Sequence, residues 1–116
     1  MKSSRTAQAG PDHELRSILA EIKAAVSAAA GSDFRLLLYG SYARGEQTPE
    51  SDVDLMLILP DELMTFRTTN ELRNTIYDFS LRTPYLFSVL IVSQSTFHER
   101  AGFLVFASVE REGVLI

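Results

Sequence analysis

The sequence has no cysteine, no long apolar run and no cluster of basic residues, and each absence excludes a class of protein. Without cysteine there is no disulfide scaffold and no thiolate metal site, which fits a reducing compartment. No stretch approaches the roughly 20 apolar residues of a membrane-spanning helix. The 11 Lys and Arg are scattered among 15 Asp and Glu, with a net charge of -4, whereas proteins that bind duplex nucleic acid usually show a basic stripe. We therefore expect a soluble, cytoplasmic protein that binds neither a membrane nor duplex nucleic acid.

The chain length of 116 residues is that of one ordinary domain. Apolar residues make up 46% of the sequence, which is enough to build a hydrophobic core and argues against a disordered chain. Residues 1–10 (MKSSRTAQAG) contain two basic residues but lack the apolar core of a signal peptide. We interpret them as a flexible tail in front of a single domain that spans residues 11–116.

Helical periodicity is clearest in the first part of this domain. Asp12 is a plausible N-cap after Pro11, and Gly31 is suited to end the helix. The apolar residues between them recur at the i, i+3, i+4, i+7 spacing of one helix face. They are Leu15, Ile18, Leu19, Ile22, Val26 and Ala29.

The rest of the chain predicts the element order α-β-β-α-β-α-β. Strands are expected at 34–39 (FRLLLY), 53–59 (VDLMLIL), 86–92 (LFSVLIV) and 114–116. Helices are expected at about 61–82 and, from a capping box of Thr96 and Glu99, at 96–111. This pattern indicates the α/β (α+β) class, with helices packed on one small mixed sheet. It does not determine the order of the strands.

Two aspartates stand at the beginning of the second predicted strand. Asp52 and Asp54 are separated by one residue, so in a strand they point to the same face. Two carboxylates at that distance repel each other unless a positive charge lies between them. A magnesium ion, which prefers oxygen ligands, would relieve the repulsion. For an isolated DxD pair the commoner explanation is a solvated strand entrance with Asp52 capping a turn.

A Gly-Ser pair follows the first predicted strand. Gly40 and Ser41 are expected to open a short helical turn that continues through Arg44 and Gly45. Backbone N–H groups at such a turn form a cradle for phosphate, and the Ser41 hydroxyl can add a hydrogen bond. Taken alone, the segment could be an ordinary tight turn. A phosphate cradle after one strand and two carboxylates on the next are together what nucleotidyl transfer needs.

Gly40 and Ser41, ten intervening residues, and then Asp52-Val53-Asp54 reproduce the pattern GS-x10-DxD. In this the sequence resembles the minimal nucleotidyltransferases of the DNA polymerase β superfamily. The resemblance implies a nucleotidyltransferase (polymerase β-like) fold, with ATP as substrate and Mg²⁺ as cofactor. It also implies that Gly40 and Ser41 hold the terminal phosphates, whereas Asp52 and Asp54 bind the metal and carry the catalysis.

The resemblance does not determine the roles of two further positions. Arg44 either steadies a phosphate of the nucleotide or pairs on the surface with Glu46 or Glu50. Fully equipped members carry a third carboxylate on the strand after the long helix, but LFSVLIV contains no acid, and Ser88 stands at about that place. A serine hydroxyl is a weak ligand and no general base near neutral pH. Asp78, on the preceding helix, is a weak candidate for a substitute.

The resemblance finally implies a partner. Minimal nucleotidyltransferases often accompany a HEPN-domain protein as the antitoxin of a toxin–antitoxin pair. The expected activity is therefore transfer of AMP from ATP to a hydroxyl of that nearby encoded toxin. The missing third acid keeps an alternative open, in which the protein is an inactive subunit that neutralises its partner by contact. Whether the chain forms a homo-oligomer is also left open.

Overall fold

The computed structural model describes residues 12–116, so the tail predicted at 1–10 lies outside the described residues. The strands are β1 (Arg35–Tyr39), β2 (Val53–Leu59), β3 (Phe87–Ser93) and β4 (Val114–Leu115). The helices are α1 (His13–Ala30), α2 (Ser41–Arg44), α3 (Phe66–Arg82), α4 (Gln94–Glu99) and α5 (Leu104–Glu112). In this part of the chain no helix is long and apolar enough to cross a membrane.

The four strands form one mixed sheet in the order β3-β2-β1-β4. β1 is antiparallel to both β2 and β4, whereas β2 and β3 are parallel. A parallel pair needs a long crossover, and α3 lies in the connection between β2 and β3. Helices and sheet thus form the small α/β domain that the sequence predicts.

The sheet has a hydrophobic core on each face. Alternate residues of β2 contribute to the two cores, because successive side chains of a strand point to opposite faces. Leu55 and Leu57 join the core formed with α1 and α3, whereas Met56 and Ile58 join the one formed with α4 and α5. All four side chains are fully buried. Asp54 therefore lies on the face that α4 and α5 cover.

Helix α1 forms where its periodicity predicts. The Asp12 carboxylate accepts a hydrogen bond from the backbone N–H of Leu15 at 2.8 Å, and Gly31 ends the helix at a positive φ of 80°. Of the predicted apolar face only Ala29 is exposed to solvent. The other five residues of that face are buried.

The predicted start of the long helix at residue 61 is wrong. Asp61–Leu63 form one 3₁₀ turn, and α3 begins only at Phe66. The reason is an N-cap at Thr65, whose side chain accepts a hydrogen bond from the N–H of Thr68 at 3.2 Å. Threonine in this position stabilises a helix start rather than a helix interior.

The single helix predicted at 96–111 is also wrong. The chain forms α4 and α5 with a break at residues 100–103. Ser93, not Thr96, caps α4, because the Ser93 hydroxyl accepts from the N–H of Thr96 at 3.0 Å. Gly102 lies in the break, and glycine destabilises a continuous helix by about 1 kcal/mol relative to alanine.

Tyr85, just before β3, ties the start of α1 to the sheet and gives a pH-dependent prediction. Its hydroxyl lies 3.4 Å from carboxylate oxygens of both Asp12 and Glu14. Burial and these two charges raise the pKa of Tyr85 from 10.0 to about 12. The folded protein therefore keeps a proton that the unfolded chain loses above pH 10, so the free energy of unfolding should fall as the pH rises from 10 to 12.

In the variant Tyr85→Phe the free energy of unfolding should decrease less over this pH range. The expected result is a smaller difference in urea midpoint between pH 9 and pH 11 than in the wild-type protein. The matched control is Tyr77→Phe, because Tyr77 is 40% exposed on α3 and its removal should leave the difference unchanged. An unchanged slope in Tyr85→Phe would refute the role assigned to the two carboxylates.

Candidate active site

One row of side chains crosses the sheet at the position of Asp54. The strand register places Tyr39 of β1 opposite Asp54, and Asp54 opposite Ser88 of β3. Helices α4 and α5 pack further along this face, around Met56 and Ile58. Asp54 is consequently half-buried and Ser88 exposed. The row forms an accessible end of the sheet, with a carboxylate at its centre.

The electrostatics of this row depend on two neighbouring carboxylates. Asp52 is exposed, two residues before Asp54. Burial, and then the charge of Asp52, raise the pKa of Asp54, and the positive charge of Arg44 opposes this shift. Both causes penalise the ionised carboxylate, and a bound cation would remove that penalty. The donor set of Asp52 and Asp54 therefore fits a hard divalent cation such as Mg²⁺.

Among the described residues, no third acidic or histidine side chain completes the carboxylate pair. Within residues 12–116 no group of three or more His, Asp or Glu side chains is arranged to hold a metal. Ser88 occupies the position on β3 that is directly in register with Asp54. The strand register thus places Ser88 beside Asp54, at the position where the resemblance leads us to expect a third acid.

Asp78 does not replace that acid. It lies on α3, 2.8 Å from Arg82 in an exposed ion pair, and α3 packs on the opposite face of the sheet from Asp54. A shallow cavity of about 480 Å³ beside Asp78 is lined by Glu71, Asn74 and Arg82 among others. This cavity therefore lies away from the carboxylate pair.

Gly40 brings the Gly-Ser turn into contact with Asp54 of the DxD pair. It follows β1 with a φ of 77°, a conformation that side chains rarely adopt. A Cβ atom at this position would overlap Oδ2 of Asp54. The backbone of the Gly-Ser turn thus lies directly against the carboxylate, and only glycine permits this approach.

The turn then forms the short helix α2. The carbonyl of Gly40 accepts hydrogen bonds from the N–H groups of Ala43 and Arg44 at 3.1 and 3.2 Å, and Gly45 ends the helix in the left-handed region. The first N–H groups of a helix have no acceptor within it. Those at Ser41 and Tyr42 are therefore available to donate to an acceptor outside the helix.

Arg44 is held by two carboxylates. Its Nε donates to Glu46 at 2.9 Å and its Nη1 to Glu112 at 3.3 Å. Pairing with Glu46 is one of the sequence alternatives, whereas Glu50 instead accepts a hydrogen bond from Thr48. Hydrogen bonds from Arg44 to Glu46 and Glu112 raise the pKa of the guanidinium further. Arg44 thus remains a charged donor close to Asp54.

Two residues of the site were not recognised in the sequence. The register of β1 and β2 places Tyr39 opposite Asp54. Glu112 lies at the end of α5 and contacts Arg44. Burial and the charge of Asp54 raise the pKa of Tyr39, so its phenol is neutral beside the carboxylate. Neither residue belongs to a local motif: the sequence does not show the strand order that places Tyr39 or the packing of α5 that places Glu112.

Comparison with known proteins agrees with this geometry. Residues 19–106 match the family model described as a nucleotidyltransferase domain. The chain belongs to the nucleotidyltransferase domain family. The matched region contains the complete GS-x10-DxD segment and the strands β1, β2 and β3.

A curated relative gives a more specific similarity. Over 61 residues the nucleotidyltransferase chain is 38% identical to the protein named "Putative protein adenylyltransferase MJ0141" of Methanocaldococcus jannaschii. The match covers 53% of the present chain and 61% of that relative. It supports nucleotidyl transfer as the general chemistry of the site.

Proposed function

We propose that this nucleotidyltransferase transfers AMP from ATP to a hydroxyl group of a partner protein, with Mg²⁺ as cofactor. The observation that carries this proposal is the contact between Gly40 and Asp54, which brings the candidate phosphate cradle against one carboxylate of the DxD pair. A turn alone or a DxD pair alone would not justify it. Their juxtaposition across two neighbouring strands is the arrangement that phosphoryl chemistry requires.

Each residue of the site has a defined task in this proposal. Asp52 and Asp54 would hold Mg²⁺, which supplies charge neutralisation and Lewis acidity at the phosphates when bound. The first amides of α2 and the Ser41 hydroxyl orient the terminal phosphates. The acceptor oxygen then bonds to the α-phosphorus, the bond to pyrophosphate breaks, and the hydroxyl proton passes to solvent. The row contributes no strong base for that proton, so we expect slow turnover.

A protein acceptor is favoured by two observations. The similar protein from Methanocaldococcus jannaschii is named as a protein adenylyltransferase. On the present chain Leu86 and Leu90 are 63% and 38% exposed, and they flank Ser88 on the accessible face of the sheet. Exposed apolar side chains beside a reactive site suit a macromolecular acceptor. We propose a HEPN-domain toxin as this acceptor and an antitoxin role for the chain.

The test is a transfer assay with a HEPN-domain protein as acceptor, to be sought among the proteins encoded beside this one. The protein is incubated with α-labelled ATP, Mg²⁺ and that partner, and the partner is analysed by mass spectrometry. We expect a mass gain of one AMP that chelation of Mg²⁺ abolishes. Binding of the two proteins without transfer would instead support the alternative function, neutralisation by contact, which the serine at position 88 favours.

The variant Ser88→Asp gives a separate prediction about the metal site. An aspartate there would stand in register with Asp54 and add a third carboxylate to the donor set. Mn²⁺, measured by titration with electron paramagnetic resonance, should bind about tenfold more tightly, because affinity rises with ligand charge. The AMP transfer rate should also rise.

The matched control is Ser88→Asn, which has the same shape as the aspartate without its charge. It should leave Mn²⁺ affinity near that of the wild-type protein. Equal affinities in both variants would contradict the placement of Ser88 beside the metal.

A further inference from the structure

Arg44 connects the Gly-Ser turn to the far end of the chain. Its partner Glu112 is the last residue of α5 and lies 68 positions further along the sequence. The other partner, Glu46, is only two residues away, on an exposed segment after α2. A neighbour on the same short segment moves together with Arg44. Among the described residues, the hydrogen bond to Glu112 therefore relates the guanidinium to the body of the domain.

Glu112 is itself well anchored. The Ser108 hydroxyl, one helical turn earlier, donates to Glu112 Oε1 at 3.4 Å. Phe106 and Val109 fix α5 in the core, with 7% and 2% of their surface exposed. The packing of α5 thus fixes the backbone of Glu112, and its carboxylate contacts Ser108 and Arg111 of the same helix as well as Arg44.

The hydrogen bonds of Arg44 determine which N–H groups of its guanidinium remain available to bind a ligand. Arginine has five N–H donors in a planar fork. Nε is directed to Glu46 and Nη1 to Glu112, so the plane of the fork is fixed from two directions. The remaining N–H groups belong to the last residue of α2, the short helix that begins after Gly40, and Gly40 lies against Asp54.

We propose that Glu112 is a positioning residue, which holds the Arg44 guanidinium in the orientation that binds a phosphate of the nucleotide. The inference rests on the nucleotide binding of the proposed function. It extends the site beyond residues 19–106, where the family model matches, to the C-terminal helix of this chain. Without Glu112 the arginine keeps its charge but samples more orientations, which weakens its hydrogen bonds to phosphate.

The experiment is a double-mutant cycle on the binding of Mg²⁺–ATP, measured by calorimetry on the full chain. In the wild-type background Glu112→Ala should weaken binding about three- to fivefold, the range of a partly exposed ion pair. In the Arg44→Ala background the same substitution should have no effect. Glu112→Gln should recover part of the loss, because its amide oxygen still accepts a hydrogen bond from Nη1.

The matched control is Glu110→Ala, an exposed acid on the same helix, which should leave binding unchanged. Thermal midpoints of all variants detect a loss through unfolding. Tighter binding in Glu112→Ala, or an equal effect in the two backgrounds, would overturn the positioning role. A wild-type protein that binds no Mg²⁺–ATP would refute the proposed function as well, so the two failures are distinguishable.

Discussion

Replacing either Asp52 or Asp54 by alanine is expected to abolish AMP transfer to the partner. Within the described residues no third His, Asp or Glu joins Asp52 and Asp54 in a group arranged to hold a metal. Loss of one leaves a single charged ligand for Mg²⁺. Because a metal contributes several kcal/mol of charge stabilisation in the transition state, we expect transfer to fall about a hundredfold or more. The measurement is the rate of label transfer from α-labelled ATP.

The variant Asp54→Asn separates this loss from damage to the fold. Burial raises the pKa of Asp54 above 3.8 in the folded protein, whereas the unfolded chain releases the proton near the ordinary value. The free energy of unfolding therefore falls as the pH rises through this acid range, and at neutral pH the ionised carboxylate is destabilising. Asparagine removes that cost.

We therefore expect Asp54→Asn to be inactive yet equally stable, or more stable by roughly a few tenths of a kcal/mol, since solvent screens a half-exposed group. Urea unfolding at neutral pH measures the difference in the free energy of unfolding. The control Asp78→Asn removes an exposed ion pair on the opposite face and should leave transfer intact. Normal transfer by Asp54→Asn would eliminate the metal assignment.

Gly40→Ala is expected to have the second large effect. Gly40 and Gly31 share nearly the same backbone conformation, with φ of 77° and 80° and extended ψ. Alanine in this region costs about 1–3 kcal/mol at either position. At Gly31 the new methyl group meets nothing within 4 Å, whereas at Gly40 it overlaps the Asp54 carboxylate.

Gly31→Ala is consequently the matched control for backbone strain. Both variants should lose stability, but only Gly40→Ala should also lose Mg²⁺–ATP binding, because the turn must move away from Asp54. Calorimetric titration below the melting temperature of each variant measures the difference. Equal binding by the two variants would mean that the close approach of Gly40 has no functional importance.

Local signals explain why much of this fold could be predicted from the sequence. Helix α1 has a strong periodicity and caps at both ends, and β2 is apolar except for Asp54 and is followed by Pro60. The GS-x10-DxD segment is contiguous, so its chemistry could be inferred before any contact was known. These features depend on residues close together in the chain.

The rest depends on contacts between distant residues. The position of Ser88 beside Asp54 follows from the parallel register of β2 and β3. The contact of Arg44 with Glu112 follows from the packing of α5. The break between α4 and α5 contains Gly102, whereas the start of α4 reflects the competition of Ser93 with Thr96 as N-cap. Strand register and helix packing depend on tertiary contacts, which local propensity does not report.

A crystal structure with Mn²⁺ and a non-hydrolysable ATP analogue tests the central claim most directly. The anomalous signal of manganese identifies the ion without ambiguity. We predict a peak within coordination distance of Asp52 and Asp54, with the triphosphate against Gly40 and Ser41. A nucleotide bound elsewhere, or a metal that contacts neither aspartate, would contradict the account.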